Sequence, residues 1–365
     1  MRILFVNPYG IGDVLFTTPA VRILKTHFPE AMIGYLCNER TKPVLGSNPN
    51  ISELFVFEKE YYRRLWRENK KKCLGEFMEL LNSIQSKKFE IALDYSLNRP
   101  IGFFIALIGI PTRIGYDYRN RGIFLNRKVT LKEYTAQHMA FFYAQLLREL
   151  GLAVNNIPNI EFPVLPSLKE WADEFLKSVG IGTKERFIVI HPGGGKSWGS
   201  NASYKRWPAE SFSKLSELLA EHYHVKVLMV GDSSEAEIGR LNPSQKKGID
   251  IVNAYGKFDL PQLAAVLGQA WFVVCNDGGP LHIAVSQGTR TVSFFGPVDA
   301  TVYGPFPREN HLVLTNFVEC RPCYRNFRFP SCPYEHRCLR GLTVEEAFER
   351  IRSFFPLACN SFLVS

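Results

Sequence analysis

Twice along its length the chain runs from a short apolar strand through a glycine turn into a helix, and on to another apolar strand. That order opens a parallel, doubly wound α/β sheet, because parallel strands need a crossover connection and a helix commonly supplies it. The first occurrence is Arg2-Ile3-Leu4-Phe5-Val6, then the turn Gly10-Ile11-Gly12-Asp13. A helix over residues 14–27 follows, with Val14, Ala20, Val21 and Leu24 at its apolar positions, and then a strand over 31–36. Residues 89–94 read as a further strand, and the aromatic-rich stretch 133–152 as one long helix. Residues 153–168 hold Pro158, Pro163 and Pro166 and little helical period, which marks a domain boundary. The pattern then restarts with a helix over 168–179, a strand over 187–191 and the turn Gly193-Gly194-Gly195. A helix over 209–222, a strand over 225–230, a helix over 260–268 and strands over 271–275 and 291–295 complete it. Two separate starts predict two Rossmann-like α/β domains, 1–165 and 166–342. Thr343-Val344-Glu345-Glu346 is a capping box opening a last helix to about residue 355. That segment, 343–365, is expected to pack back toward the first domain.

A chain of 365 residues, 46% hydrophobic and 22% charged, has enough apolar material for two cores and is not disordered. Its longest apolar run, near residues 101–110, falls short of the roughly 20 residues that cross a bilayer. No signal peptide is expected, since Pro8 and Gly10 break the first apolar run. This pattern suggests a soluble, cytoplasmic protein. The net charge of +9 is uneven: residues 1–165 carry 22 basic and 15 acidic side chains, against 22 and 20 in the remainder. The first domain is therefore the half expected to meet an anionic partner, whether nucleic acid, phosphorylated lipid or anionic sugar.

The candidate chemistry sits in the turns. In doubly wound folds ligands bind beyond the carboxyl ends of the strands, where Asn7-Pro8-Tyr9-Gly10-Ile11-Gly12-Asp13 lies. A carboxylate at Asp13 can take a proton from an attacking hydroxyl, or can simply cap the helix. A nicotinamide fingerprint is incomplete, because Leu15 stands where a third glycine belongs. Asn276-Asp277-Gly278-Gly279-Pro280-Leu281-His282 opens another helix after an apolar strand, offering free N–H groups and a positive dipole end to a pyrophosphate. His191-Pro192-Gly193-Gly194-Gly195-Lys196 meets no P-loop pattern. Lys205-Arg206-Trp207-Pro208 can bring a cation to the same crevice. Glu235, at the end of Gly231-Asp232-Ser233-Ser234-Glu235, is placed either to hold ribose hydroxyls or to complement a first helical turn.

Cys320, Cys323, Cys332 and Cys338 have the ligand count of a tetrahedral zinc site, although the second pair is not C-x2-C. The alternative is reduced thiols packing an irregular loop. Cys37, Cys73, Cys275 and Cys359 are scattered, so no disulfide framework is implied. Tyr61-Tyr62-Arg63-Arg64-Leu65-Trp66-Arg67 with Lys70-Lys71-Lys72 is basic with interleaved rings. That composition suits a solvated helix face, an anionic membrane surface or single-stranded nucleic acid.

Taken in order, these segments resemble the heptosyltransferase family of glycosyltransferases, which build the inner core of bacterial lipopolysaccharide. The resemblance covers most of the chain. It includes Gly10-Ile11-Gly12-Asp13 with Thr17-Thr18-Pro19, and Arg113-Ile114-Gly115-Tyr116-Asp117 with Arg121-Gly122. It continues through His191-Pro192-Gly193, Lys205-Arg206-Trp207-Pro208, the 276–282 turn and Phe295-Gly296-Pro297. The late cysteines also look like those of many members. The resemblance implies GT-B architecture, two Rossmann-like domains facing across a cleft, with donor in the second and acceptor in the first. It implies an inverting, metal-independent transfer with no cofactor. Asp13 matches the catalytic carboxylate and Lys205 the lysine that neutralises the donor phosphates. Gly193, Glu235, Asp277, Gly278, Gly279 and His282 would bind the donor, and Gly12, Arg63, Arg64 and Arg121 the acceptor.

The partners so implied are ADP-heptose and an anionic lipid-linked saccharide of the lipid A–Kdo type. The inner face of the cytoplasmic membrane would be met peripherally; nucleic acid is not among the partners. Two departures bear on the donor: Gly278 stands where many members have Ser or Thr, and the loop from Gly195 to Lys205 is longer than usual. The alternatives are a transferase of this fold using another nucleotide sugar, and a non-catalytic binder of an anionic ligand. A nucleotide-sugar epimerase of similar shape would leave the basic first half without a role.

Overall fold

The computed structural model describes residues 1–194, 196–235 and 249–357. Gly195 of the glycine turn, residues 358–365 of the last segment and Cys359 among them lie outside the described residues. The chain divides into two compact units, Met1–Pro163 and Val164–Ser365.

The first unit comprises β1 (Arg2–Val6), α1 (Ile11–His27), β2 (Met32–Cys37), α2 (Lys42–Gly46), β3 (Glu53–Val56), α3 (Lys59–Glu68) and α4 (Lys70–Gln85). It continues with β4 (Ile91–Asp94), α5 (Arg99–Ile108), β5 (Thr112–Tyr118), β6 (Arg127–Leu131) and α6 (Met139–Gln145). Every pairing is parallel, in the order β3-β2-β1-β4-β5-β6. Central β1 is buried from Ile3 to Val6, apolar on both faces as a covered parallel strand must be. On one face Leu4, Val6, Leu36, Phe55 and Ala92 meet Leu81 and Ile84 of α4 and Phe104 and Ile105 of α5. Tyr62 joins α3 to this layer by stacking on Phe57 and meeting the edge of Phe77.

Pro19 stands inside α1, where it cannot donate to the Leu15 carbonyl. The Thr18 hydroxyl donates to that carbonyl instead, at 2.7 Å, and accepts from the Glu161 amide at 2.8 Å. The Thr-Pro pair therefore costs the helix little and ties it to the end of the unit.

The long helix expected over 133–152 is corrected. Ala136 has a positive φ of 62°, which no α-helix tolerates. The helix starts only after His138, whose ring accepts from the Ala140 amide as a cap. It gives way to a 3-10 turn at Leu146–Leu150.

The second unit runs α7 (Pro166–Ser178), β7 (Phe187–His191), a 3-10 segment Lys196–Lys205, α8 (Ala209–Tyr223), β8 (Lys226–Met229), a 3-10 turn Ser233–Glu235 and β9 (Ile251–Asn253). Then come α9 (Leu260–Leu267), β10 (Phe272–Asn276), α10 (Gly279–Ser286), β11 (Arg290–Phe294), α11 (Ala300–Tyr303), β12 (His311–Leu314), α12 (Arg337–Arg340) and α13 (Val344–Phe354). Its sheet is also parallel, ordered β12-β11-β10-β7-β8-β9.

Thr343 caps α13 through the Glu346 amide, as its spacing suggests. The apolar stripe of this helix is used within the second unit. Val344, Ala347 and Ile351, with Phe355, pack in the second unit's core beside Leu215 and Leu219 of α8. The Tyr223 hydroxyl donates to the Phe355 carbonyl at 2.7 Å. Among the described residues no helix is long and apolar enough to cross a membrane.

Candidate active site

Each sheet has one place where neighbouring strands lead the chain in opposite directions. In the first it lies between β1 and β4, in the second between β7 and β10. Loops leaving the carboxyl ends there part from each other and open a crevice.

In the first unit Asp13 is the third residue of α1. Its Oδ2 accepts from the Gly10 amide at 3.0 Å, and Oδ1 lies 3.5 Å from the Tyr143 hydroxyl. Asn7, buried at the end of β1, donates to the Asp13 carbonyl at 3.0 Å and fixes the turn. The carboxylate caps the helix and is also half-exposed. Across the crevice Asp94 ends β4, fully buried, and accepts from the Ser96 amide at 2.8 Å. Burial pushes its carboxyl up to about 6 against the opposing hydrogen bonds from Ser96. Asp94 escaped the sequence reading; its signal is an acid closing an otherwise apolar strand.

The Tyr9 hydroxyl donates to the Ser96 carbonyl, bridging the two loops, and burial together with Asp94 holds that phenol well above its usual range. Gly12 sits in the first turn of α1. Arg121 lies over the Tyr118 ring at 5.6 Å and near enough to act on Tyr9. Arg63 and Arg64 stand on the exposed face of α3, beside Glu60 at 2.9 Å and Glu68 at 3.9 Å. They take no part in the hydrogen bonds that shape the Asp13 turn.

The second crevice is built around a buried ion pair. Lys205 Nζ lies 2.7 Å from Asp277 Oδ2 and 4.6 Å from the centre of the Trp198 ring. Burial pushes the Asp277 carboxyl up, and the lysine opposes it. Asn276 aligns the pair: its Nδ2 donates to the Pro192 and Gly193 carbonyls at 2.7 and 3.1 Å. Its Oδ1 accepts from the Trp207 amide at 2.9 Å. Trp207 is locked by stacking on Phe294 at 4.2 Å and by donating to the Leu342 carbonyl. Lys205 is thus the neighbour of a fixed point. As the first letter of a recognised turn, Asn276 gave no sign that it joins three segments.

Gly278 precedes α10, and Gly279 and Pro280 open it, with His282 buried on the first turn. Glu235, also buried, accepts from the Gly194 amide at 2.7 Å and the Asp232 amide at 3.1 Å. Arg206 Nη2 lies 3.6 Å from it, and His191 Nε2 lies 3.7 Å away. A Cβ on Gly193 would fall 2.3 Å from the Glu235 carboxyl carbon, so only glycine lets loop and acid meet. Burial lowers the His191 pKa against the pull of Glu235. The structure therefore gathers Gly193, Lys205, Glu235, Asp277, Gly278, Gly279 and His282 around the β7 and β10 ends.

The structure brings the four late cysteines to one place. Cys320, Cys323, Cys332 and Cys338 line one small cavity with Tyr204, Phe329 and His336. Among the described residues, however, no three His, Cys, Asp or Glu side chains are grouped to hold a metal. The backbone of this loop is anchored as well: the Cys323 and Tyr324 amides both donate to the Pro297 carbonyl at 3.0 Å. The Arg321 guanidinium reaches the Gly296 and Asn316 carbonyls.

Residues 77–329 match the profile of Glycosyltransferase family 9 (heptosyltransferase). The chain is 23% identical over 307 residues to lipopolysaccharide heptosyltransferase 3 of Escherichia coli K12, covering 81% of this chain and 82% of that one. It superposes on the glycosyl transferase family 9 structure from Veillonella parvula with a TM-score of 0.81 at 23% identity, covering 97% and 96% of the two chains. It superposes on the E. coli ADP-heptose lps heptosyltransferase II with a TM-score of 0.75 at 19% identity, covering 97% and 98%. These likenesses show the fold as GT-B.

Proposed function

The chain belongs to glycosyltransferase family 9, the heptosyltransferases, and from that premise we propose that it moves heptose from ADP-heptose to an anionic, lipid-linked saccharide of the lipopolysaccharide inner core. The observation that carries this reading is the buried Lys205–Asp277 pair, 2.7 Å long, beside the start of α10. A diphosphate leaving group needs positive charge where its bond to the sugar breaks. Lys205 and the first-turn N–H groups of α10 supply it, so the mechanism calls for no metal ion.

In this reading residues 166–342 hold the donor and residues 1–165 the acceptor. The Asp13 carboxylate takes the proton from the acceptor hydroxyl as its oxygen bonds to the anomeric carbon. The bond from that carbon to the diphosphate breaks on the opposite side, inverting the centre and releasing ADP. Glu235 reaches the ribose only by sharing a carboxylate that already holds the Gly194 and Asp232 amides. Arg121 beside the Tyr9 loop, and Arg63 and Arg64 on α3, meet acceptor anions. Since the acceptor is lipid-linked, the enzyme works peripherally at the inner face of the cytoplasmic membrane.

Calorimetric titration with ADP, UDP and GDP, and with their sugar conjugates including ADP-heptose, tests the reading. Selective binding of ADP and ADP-heptose, followed by transfer to a lipid A–Kdo acceptor, is expected. A preference for uracil or guanine would keep the transferase and replace the donor. Absence of any nucleotide binding would overturn the proposal.

A further inference from the structure

The outer face of the α3–α5 layer leaves large apolar side chains in solvent in an ordered way. Leu74 and Met78, one turn apart on α4, are 52% and 47% exposed. Phe103 and Leu107, one turn apart on α5, are 52% and 49% exposed, and Ile123 in the loop after β5 is 56% exposed. The two helices are neighbours, joined by the Phe77–Phe104 contact at 5.3 Å and by Gln85 donating to the Ile108 carbonyl. Phe103 rests on Phe124, the residue after Ile123, at 5.3 Å. Single exposed apolar residues are ordinary, but two helical pairs on adjoining helices with a loop side chain beside one of them mark an interaction surface.

Charge decides the occupant. Residues 59–72, which run along α3 into the first turn of α4, carry seven basic and two acidic side chains. Arg63, Arg64 and Lys72 are matched to Glu60, Glu68 and Glu76. Among the described residues Arg67, Lys70 and Lys71 have no carboxylate partner, and the Lys70 ammonium lies 5.8 Å over the ring of Trp66, itself 46% exposed. An apolar ridge with unmatched cations and a tryptophan at its edge has the complement of an anionic bilayer. Apolar side chains enter the acyl boundary, the indole sits at headgroup depth and cations meet phosphates.

We propose that the outer face of α3–α5 seats the protein on an anionic lipid bilayer, with Phe103, Leu107 and Ile123 entering the interface and Arg67, Lys70 and Lys71 meeting lipid phosphates. This deepens the lipid-linked acceptor reading, on which its use rests. It is tested with vesicles that hold neither acceptor nor nucleotide, so each can fail without the other.

Co-sedimentation is measured with vesicles of phosphatidylcholine alone, and of phosphatidylcholine mixed equally with phosphatidylglycerol. The wild-type chain pellets with the mixed vesicles only, and added salt weakens the binding. The double change Phe103→Ser/Leu107→Ser lowers the partition coefficient at least about tenfold. The triple change Arg67→Glu/Lys70→Glu/Lys71→Glu lowers it at least about a hundredfold. Both variants keep the wild-type melting temperature and ADP affinity, which shows that the fold is intact. Equal pelleting of all three proteins, or none by the wild type, would overturn the proposal. So would a wild-type dimer in sedimentation velocity that the Phe103→Ser/Leu107→Ser change splits, since a second copy would then be what covers this face.

Discussion

Lys205 and Asp277 meet at 2.7 Å because β7 and β10 are neighbours in the sheet, and both side chains are almost fully buried. A lone ammonium at that depth would leave its desolvation uncompensated. Paired with Asp277, it is fixed in position. In the proposed reaction the same ammonium faces the leaving diphosphate, so one side chain serves the fold and the chemistry.

Lys205→Ala is expected to abolish donor use and to cost about 3–5 kcal/mol of stability, because it strands a buried carboxylate. The double variant Lys205→Ala/Asp277→Asn should regain much of that stability while transfer stays lost. Denaturant unfolding and transfer rates on the single and double variants separate the two roles. A single variant as stable as wild type would contradict the burial of the pair.

Asp13→Asn keeps an oxygen for the Gly10 amide, so its unfolding midpoint should stay close to wild type. Turnover should fall by about 10²–10⁴-fold with ADP affinity unchanged. Single-turnover assays with calorimetry decide this, and undiminished turnover would leave Asp13 a helix cap alone.

Gly193→Ala sets a carbon 2.3 Å from the Glu235 carboxyl group. One of the two must move, which should destabilise the protein by about 1–3 kcal/mol. If this loop forms part of the nucleotide site, ADP affinity drops with it, roughly tenfold for each 1.4 kcal/mol lost from binding. Calorimetry on the folded variant reads both effects, and an unchanged ADP affinity would remove the loop from the site.

Asp94 makes stability depend on pH in an uncommon direction. Its pKa is raised from 3.8 in the open chain to about 6 in the folded one, so the folded state holds the proton more tightly. The stability this gives is fully present below pH 3.8 and is lost as pH rises through about 6. Asp94→Asn carries no charge and can still accept from the Ser96 amide. It should therefore melt higher than wild type at pH 8, with the gain shrinking toward pH 4. Melting curves across that range test it; a constant difference would place the Asp94 effect elsewhere.

Much of this was legible from the sequence, for local reasons. The strand, turn and helix order depends on residues close together in the chain, and β1 and β7 lie where pattern puts them, while α1 begins at Ile11, inside the stretch read as a turn. What was not legible depends on contacts between distant segments. Lys205 and Asp277 were each recognisable, but their pairing follows from which strands are neighbours, which no local pattern records. The aromatic run after Glu133 reads as helix by composition, while Ala136 with its positive φ decides otherwise. Asn69 was invisible as punctuation, yet it ends α3 and caps α4 by accepting from the Lys72 amide at 3.0 Å. The last helix has an apolar stripe that any core could take, and the stripe alone names no partner.

Asn276 ties the Pro192–Gly193 backbone, the Trp207 amide and the end of β10 into one rigid knot. In time rather than space, this means that the Trp207 N–H is shielded from solvent deuterium until the knot itself comes apart. Because that knot is rooted in central strands of the sheet, this amide should exchange at the pace of whole-unit unfolding. The chain at Trp207, just after Lys205, is then as long-lived as the strands beneath it.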